Sequence, residues 1–145
     1  MRNDRMAISY LEDAIVRFEG LERLFGMRRF NVVVREAQEC VELALKGALR
    51  WVGVEPAKVH DVSEILIEER GRFPEFFEKA MDKLAEISKR LARERGRSFY
   101  GDEEKGIPPS ELYTESDARE AIEDAKLVID LCKKLIGGGR CSSSS

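Results

Sequence analysis

The sequence predicts an all-α fold, an up-down antiparallel bundle of four long helices and one short helix. In four long segments, apolar residues recur every three or four positions, which is the repeat of an amphipathic helix. No segment alternates apolar and polar residues with the two-residue repeat of a strand. The length of 145 residues also fits one domain with its own core.

The first two long helices are predicted over residues 7–25 and 29–52. The second carries a nearly unbroken apolar stripe, and Gly53 and Pro56 end it. The stripes of the long helices are expected to meet in a common core. We predict that this core buries Ala44, Leu45, Leu49, Leu84, Ile122 and Ile129.

The remaining elements follow from stop signals and periodicity. A short helix is predicted over residues 61–70, and the third long helix over 74–95. Residues 96–113 show no periodicity and contain several glycines and prolines, which predicts a long functional or mobile loop. The last long helix is predicted over 114–136, opening with a capping box at Thr114.

The composition limits the class of protein. The 25 basic and 28 acidic residues leave a net charge of −3, and 43% of residues are apolar, which excludes a disordered or fibrous chain. No apolar run approaches the ~20 residues needed to cross a bilayer, so we expect a cytoplasmic protein that does not engage membranes. We expect residues 1–137 to form one domain and 138–145 a disordered tail. The scarcity of Gln and Asn predicts a thermophilic source.

Metal and cofactor chemistry find little support in the sequence. The three cysteines, at positions 40, 132 and 141, form no CxxC pair, and His60 is the only histidine, so we expect no zinc site and no cofactor. Cys40 and Cys132 lie on apolar stripes and are expected to be core residues. A single imidazole restricts acid–base schemes, and we assign no catalytic residue. We expect His60 in a turn whose next residue, Asp61, caps the short helix.

One basic cluster stands out at residues 89–97, with five positive charges against one negative. It could bind phosphate at the mouth of the 96–113 loop, where aromatic residues would stack on a base. It could instead complement its own helix C-terminus and the acidic start of the last helix, which the helix-dipole argument favours. The candidate nucleotide- or phosphate-binding residues are Arg93, Arg95, Arg97, Tyr100, Tyr113 and His60.

Several segments resemble a known family. Residues 37–49 read AQECVELALKGAL, and GVEP at 53–56 and HDV at 60–62 follow. This order resembles the HEPN domain (higher eukaryote and prokaryote nucleotide-binding). RSFY at 97–100, then Tyr113-Thr114 and an alanine-rich last helix, is similar to the second half of the same pattern. The resemblance covers residues 5 to 136, approximately.

The resemblance implies an up-down bundle, commonly a homodimer, often encoded beside or fused to a minimal nucleotidyltransferase. Some members are metal-independent ribonucleases that use an arginine shortly before a histidine. Here the positions that would hold this arginine before His60 are Gly53, Val54 and Glu55, and no histidine follows. The resemblance is therefore to the branch that lacks the ribonuclease motif.

Two functions remain open at this point. The first is a dimeric, non-catalytic binding and assembly module that partners a nucleotidyltransferase and binds nucleotide or RNA phosphate. Apolar residues outside the main stripe of the second helix also suggest a dimer interface: Val32, Leu43 and Trp51. The alternative is a divergent metal-independent ribonuclease, a toxin of a toxin–antitoxin pair, that would use His60 with Arg93, Arg95 or Arg97.

Overall fold

The computed structural model describes residues 2–137, and the regular structure in that range is helical apart from one isolated bridge between Asp102 and Ile107. This confirms the predicted all-α bundle with four long helices. Four short helices accompany them, not one. The helices are α1 (Asp4–Glu19), α2 (Leu21–Gly26), α3 (Phe30–Trp51), α4 (Ser63–Glu68), α5 (Glu75–Lys79), α6 (Met81–Ala92), α7 (Arg95–Tyr100) and α8 (Glu115–Cys132).

Helices α1 and α3 pack closely and run antiparallel. The backbone N–H of Asn3, which caps the start of α1, donates to the carbonyl of Arg50 near the end of α3 at 3.4 Å. At Gly47 of α3, a Cβ atom would lie 2.9 Å from the carbonyl oxygen of Ala7. A glycine at this position therefore lets the two backbones approach each other.

Helices α3 and α8 lie side by side but run parallel. Arg28, just before α3, pairs with Glu115 at the start of α8 (3.5 Å), and Ala44 accepts a bond from the thiol of Cys132 at the other end (3.4 Å). Consecutive long helices still alternate in direction along the chain. Because the direction alternates, the second and fourth long helices, α3 and α8, point the same way.

Three predicted segments are organised differently in the structure. The helix predicted over 7–25 is divided at Gly20 into α1 and α2, and the one predicted over 74–95 is divided at Ala80 into α5 and α6. The predicted loop at 96–113 contains helix α7 and the 3₁₀ turn Pro109–Glu111. A six-residue helix is too short to show a clear apolar repeat, which is why the sequence did not reveal α7.

Gly101 ends α7, and the chain reverses direction after it. Its φ is +81°, and a Cβ there would overlap the carbonyl oxygen of Ile107. Only glycine fits this combination of backbone angle and close approach. The segment after α7 is thereby held against the bundle.

The predicted core is confirmed, since all six of its named residues are at most 4% exposed. α1, α3, α6 and α8 contribute most of the remaining buried apolar side chains. No helix in the described part of the chain is long and apolar enough to span a bilayer. The predicted disordered tail at 138–145, with Cys141, lies outside the described residues.

Candidate functional site

A polar stripe runs along α3 beside its apolar face. Its members recur at helical spacing and face the loop before α4 and the start of α7. We call the stripe and its two partners the Glu42 cluster. It consists of Arg35, Gln38, Glu39, Glu42, Lys46, His60 and Arg95.

Glu42 is the centre of this cluster, and its side chain is only 13% exposed. It accepts hydrogen bonds from Gln38 Nε2 (3.0 Å), Lys46 Nζ (2.9 Å) and His60 Nδ1 (2.9 Å). Burial by itself would raise the pKa of Glu42, but these three donors outweigh burial and hold the pKa below its usual range. Glu42 is therefore ionised, and its carboxylate accepts hydrogen bonds from three side chains.

Arg95 belongs to the same cluster, which the sequence analysis did not predict. Its Nη1 donates to Gln38 Oε1 and to Glu39 Oε2 (3.0 Å), and it lies 3.8 Å from Glu42 Oε1. Arg95 therefore faces α3. Its charge is balanced by the α3 carboxylates Glu39 and Glu42 and not by the acidic start of α8.

The backbone of α7 is tied to α3 at two more points. Arg35 Nη1 donates to the carbonyl of Arg95 (2.9 Å), and Asn31 Nδ2 donates to that of Ser98 (3.3 Å). Phe99 adds a cation–π contact, with its ring centre 5.0 Å from the Arg35 guanidinium carbon. These contacts fix the orientation of α7 on the bundle.

His60 lies in the loop before α4, as predicted, and its side chain is 57% exposed. Because the ionised Glu42 can only accept, His60 Nδ1 is the donor, which leaves Nε2 unprotonated in the neutral ring. The adjacent Asp61 accepts from the Ser63 N–H at 2.9 Å, but the N-cap of the short helix is Val62 and not Asp61, so the predicted cap is displaced by one residue. The imidazole is thus held by a carboxylate of a neighbouring helix.

Three of the other predicted residues share one outward face. Arg93, Arg97 and Tyr100 follow steps of four and three residues, and Arg93 and Glu94 keep helical backbone angles between α6 and α7. All three side chains are exposed, Tyr100 by 62%. Phe99 contacts Tyr100 edge-on, with 4.7 Å between the ring centres. We call Arg93, Arg97 and Tyr100 the α7 face.

Tyr113 lies at the base of this face and is half-buried. Its O–H donates to Glu94 Oε1 at 2.6 Å. Burial and this carboxylate raise the pKa of Tyr113, and the neighbouring Arg97 only partly offsets them. Arg97 and Tyr113 line a cavity of about 310 Å³ together with acidic side chains, so the cavity has mixed charge. Its other charged members are Arg90, Glu94, Asp117 and Glu120.

The helix-dipole interpretation of the basic cluster holds for one of its residues. Arg90 Nη2 reaches Asp124 of α8 at 2.7 Å, and its Nε reaches Glu86 at the same distance. Asp124 is buried, so this pair joins α6 to α8 inside the bundle. The first turn of α8 is met instead by Arg28, which pairs with Glu115.

Thiol and metal chemistry find no geometric support in residues 2–137. Cys40 and Cys132 are buried free thiols, and burial raises the pKa of both, that of Cys40 to about 12. No group of three or more His, Cys, Asp or Glu side chains within that range could hold a metal ion.

The sequence did not identify the acidic residues of the Glu42 cluster or those of the cavity beside Tyr113. Gln38, Glu42 and Lys46 are spaced four residues apart on one helix, which is a readable signal for mutual contact. Their contacts with His60 and Arg95 join segments 18 and 57 residues away along the chain. No local pattern carries that information.

The comparisons with known proteins identify one family. The family model described as HEPN domain matches residues 7–135. Neither the curated proteins nor the solved structures gave a match to this chain.

Proposed function

Since the chain belongs to the HEPN domain family, a nucleotide- or RNA-related class of module, we propose that it is a non-catalytic member of the branch without the ribonuclease Arg/His motif. In this proposal it binds the phosphates of a nucleotide or RNA and assembles with protein partners. One observation carries the proposal. Arg93, Arg97 and Tyr100 face solvent together, whereas Arg95 is bound to α3.

The α7 face has the chemistry of a sequence-tolerant phosphate binder. Two exposed guanidiniums would pair with backbone phosphates and release counterions. The exposed ring of Tyr100, supported edge-on by Phe99, would stack on a base. Arg93 makes no ion pair within residues 2–137, so its charge is available to a ligand.

The Glu42 cluster argues against catalysis. Cleavage of RNA without a metal needs a base and also a cation that stabilises the charge developing on phosphorus. His60 Nε2 could serve as the base, but Arg95, the guanidinium that shares Glu42 with it, is already compensated by Glu39 and Glu42. None of Gly53, Val54 and Glu55 supplies an arginine before His60.

A second function is favoured by one specific observation. His60 and Arg95 both approach the same oxygen, Glu42 Oε1, at 2.9 and 3.8 Å. A divergent ribonuclease, the toxin of a toxin–antitoxin pair, would use His60 as the base and Arg95 as the cation. RNA entering this cluster would have to displace Arg95 from its acidic partners.

Binding to labelled single-stranded RNA, measured by fluorescence anisotropy at low and high salt, tests the first proposal. Reversing both charges, Arg93→Glu with Arg97→Glu, should abolish binding and leave the melting temperature nearly unchanged, because exposed charges contribute little to stability. The control is Arg5→Glu with Arg23→Glu, which makes the same charge change at exposed sites on α1 and α2. Absence of binding at low salt, or equal loss in the control, would overturn the proposal.

Incubation of the purified protein with RNA, against His60→Ala, decides between the two functions. We expect intact RNA with both proteins. If the wild type cleaves RNA and His60→Ala does not, the ribonuclease function is correct and the binding-module proposal is wrong.

We also propose a homodimer and a nucleotidyltransferase partner, both of which the resemblance to the HEPN family suggests. The sequence suggested Val32, Leu43 and Trp51 for an interface. Leu43 and Trp51 pack partly against the core, so they support a dimer less than expected. Val16 and Met27 expose more apolar surface, at 68% and 58%. Light scattering should give twice the chain mass of 16.5 kDa, and a monomer at all concentrations would contradict the dimer. A nucleotidyltransferase encoded beside this chain should co-purify with it.

Two expectations about the source belong to the same proposal. Buried free thiols at Cys40 and Cys132 fit a reducing compartment, which supports a cytoplasmic location. The networks around Glu42 and Arg90 are the kind that strengthen with temperature, which supports a thermophilic source. Reversible melting well above the range of mesophilic domains would support the second expectation.

A further inference from the structure

A second cavity, of about 590 Å³, lies at the end of the bundle where α1 begins and α3 ends. We call it the end cavity. The α7 face lies elsewhere, because Arg95 and Ser98 pack beside the first half of α3. The end cavity is lined by Arg2, Trp51, Val52, Gly53, Arg72, Pro74 and Leu135.

Among residues 2–137, its lining contains two arginines and no acidic side chain. Arg2 Nε pairs with Asp4 at 2.6 Å and Arg72 Nε pairs with Glu69 at 2.6 Å, both at the protein surface. The terminal Nη groups of both arginines donate no hydrogen bond within residues 2–137. They are therefore available to an anion, for which exposed ion pairs compete only weakly.

The apolar part of the cavity selects for an aromatic group. The guanidinium carbon of Arg2 lies 4.0 Å from the centre of the Trp51 ring, which pre-arranges a flat cationic and aromatic surface. Val52, Pro74 and Leu135 supply apolar wall beside it. The volume is in the range of small-molecule sites.

We propose that the end cavity binds a small aromatic anion, a planar ring bearing a phosphate or a carboxylate. The ring would stack on the Trp51–Arg2 surface, and the anionic group would take the Nη donors of Arg2 and Arg72. The site is separate from the α7 face and does not depend on the function proposed above.

Trp51 is the only tryptophan of the chain, so its fluorescence reports on this cavity alone. Titration with AMP and with benzoate distinguishes a phosphate source from a carboxylate source. Adenosine carries the ring without the charge, and inorganic phosphate carries the charge without the ring, so both serve as controls. We expect AMP, benzoate or both to change the fluorescence saturably, and adenosine and phosphate to bind at least about tenfold more weakly.

The matched variants carry equal charge changes. Arg2→Ala with Arg72→Ala should weaken the response at least about tenfold, whereas Arg5→Ala with Arg23→Ala should leave it unchanged. Circular dichroism confirms that both doubles fold, and calorimetry with Trp51→Ala checks the ring contact without the fluorescence signal. A flat titration with both AMP and benzoate, binding of phosphate as tight as that of AMP, or equal weakening in the two double variants would overturn the proposal.

Discussion

Arg95 and Arg97 are two residues apart on the same short helix, yet they have opposite surroundings. Arg95 faces α3, where Gln38, Glu39 and Glu42 compensate it, and only 20% of its side chain is exposed. Arg97 is exposed, beside Tyr113 at the edge of the α7 face. The comparison teaches that the count of positive charges in a segment does not measure its ability to bind phosphate. The face on which each charge lies, and the carboxylates opposite it, decide between a structural brace and a binding group.

The largest loss of stability is expected from a substitution on the apolar side of α3, which serves as the reference for the polar sites. Leu45 is fully buried, and Leu45→Ala removes its packing and leaves a cavity, so the free energy of unfolding should fall by about 2–5 kcal/mol. Urea denaturation measures this change. A loss below about 1 kcal/mol would mean that the core face of α3 is wrongly assigned.

Removing the centre of the Glu42 cluster should have the next largest effect. Glu42→Ala leaves Lys46, His60 and Arg95 facing one another without their shared carboxylate, and should cost about 1–3 kcal/mol of unfolding free energy. Glu64→Ala, at an exposed position of α4, is the control and should cost at most about 0.5 kcal/mol. Equal losses in the two variants would show that the cluster is not a brace.

The cluster also predicts a dependence of stability on pH. The pKa of Glu42 is lower in the folded protein than in the unfolded chain, so its contribution is present above the unfolded pKa and is lost as pH falls through the folded pKa. Denaturation at neutral and acidic pH should show a shallower acid loss for Glu42→Gln than for the wild type. Identical pH profiles would contradict this role of Glu42.

The smallest effect on stability should come from the α7 face. Arg93→Ala removes an exposed side chain that makes no ion pair in the described residues, so the unfolding free energy should change by at most about 0.5 kcal/mol. Thermal melting measures this directly. A larger loss would assign Arg93 to the bundle rather than to a ligand.

Much of the fold could be predicted from the sequence, because the long helices carry strong repeats. The α3 stripe identified its core residues, and the Thr114 capping box is present, with Thr114 Oγ1 accepting from the Asp117 N–H at 3.1 Å. The break at Gly20 and the short helix α7 could not be predicted, since six residues are too few to establish a period.

The candidate site was predictable only in part. The basic segment was visible as composition, but the division between Arg95 and its neighbours depends on how α7 docks on α3. That docking is fixed by contacts such as Asn31 with Ser98, which are distant in sequence. For the same reason, the pairing of His60 with Glu42 was not visible from the loop sequence.

The slope of RNA affinity against salt concentration, compared between Arg97→Ala and Arg95→Ala, tests the central claim most directly. A side chain that contacts a phosphate of single-stranded RNA contributes about 0.7 to the slope of log affinity on log salt. We expect Arg97→Ala to reduce the slope by about that amount with an unchanged melting temperature. Arg95→Ala should keep the slope and lower the melting temperature. A reduced slope in Arg95→Ala together with an unchanged slope in Arg97→Ala would contradict the account.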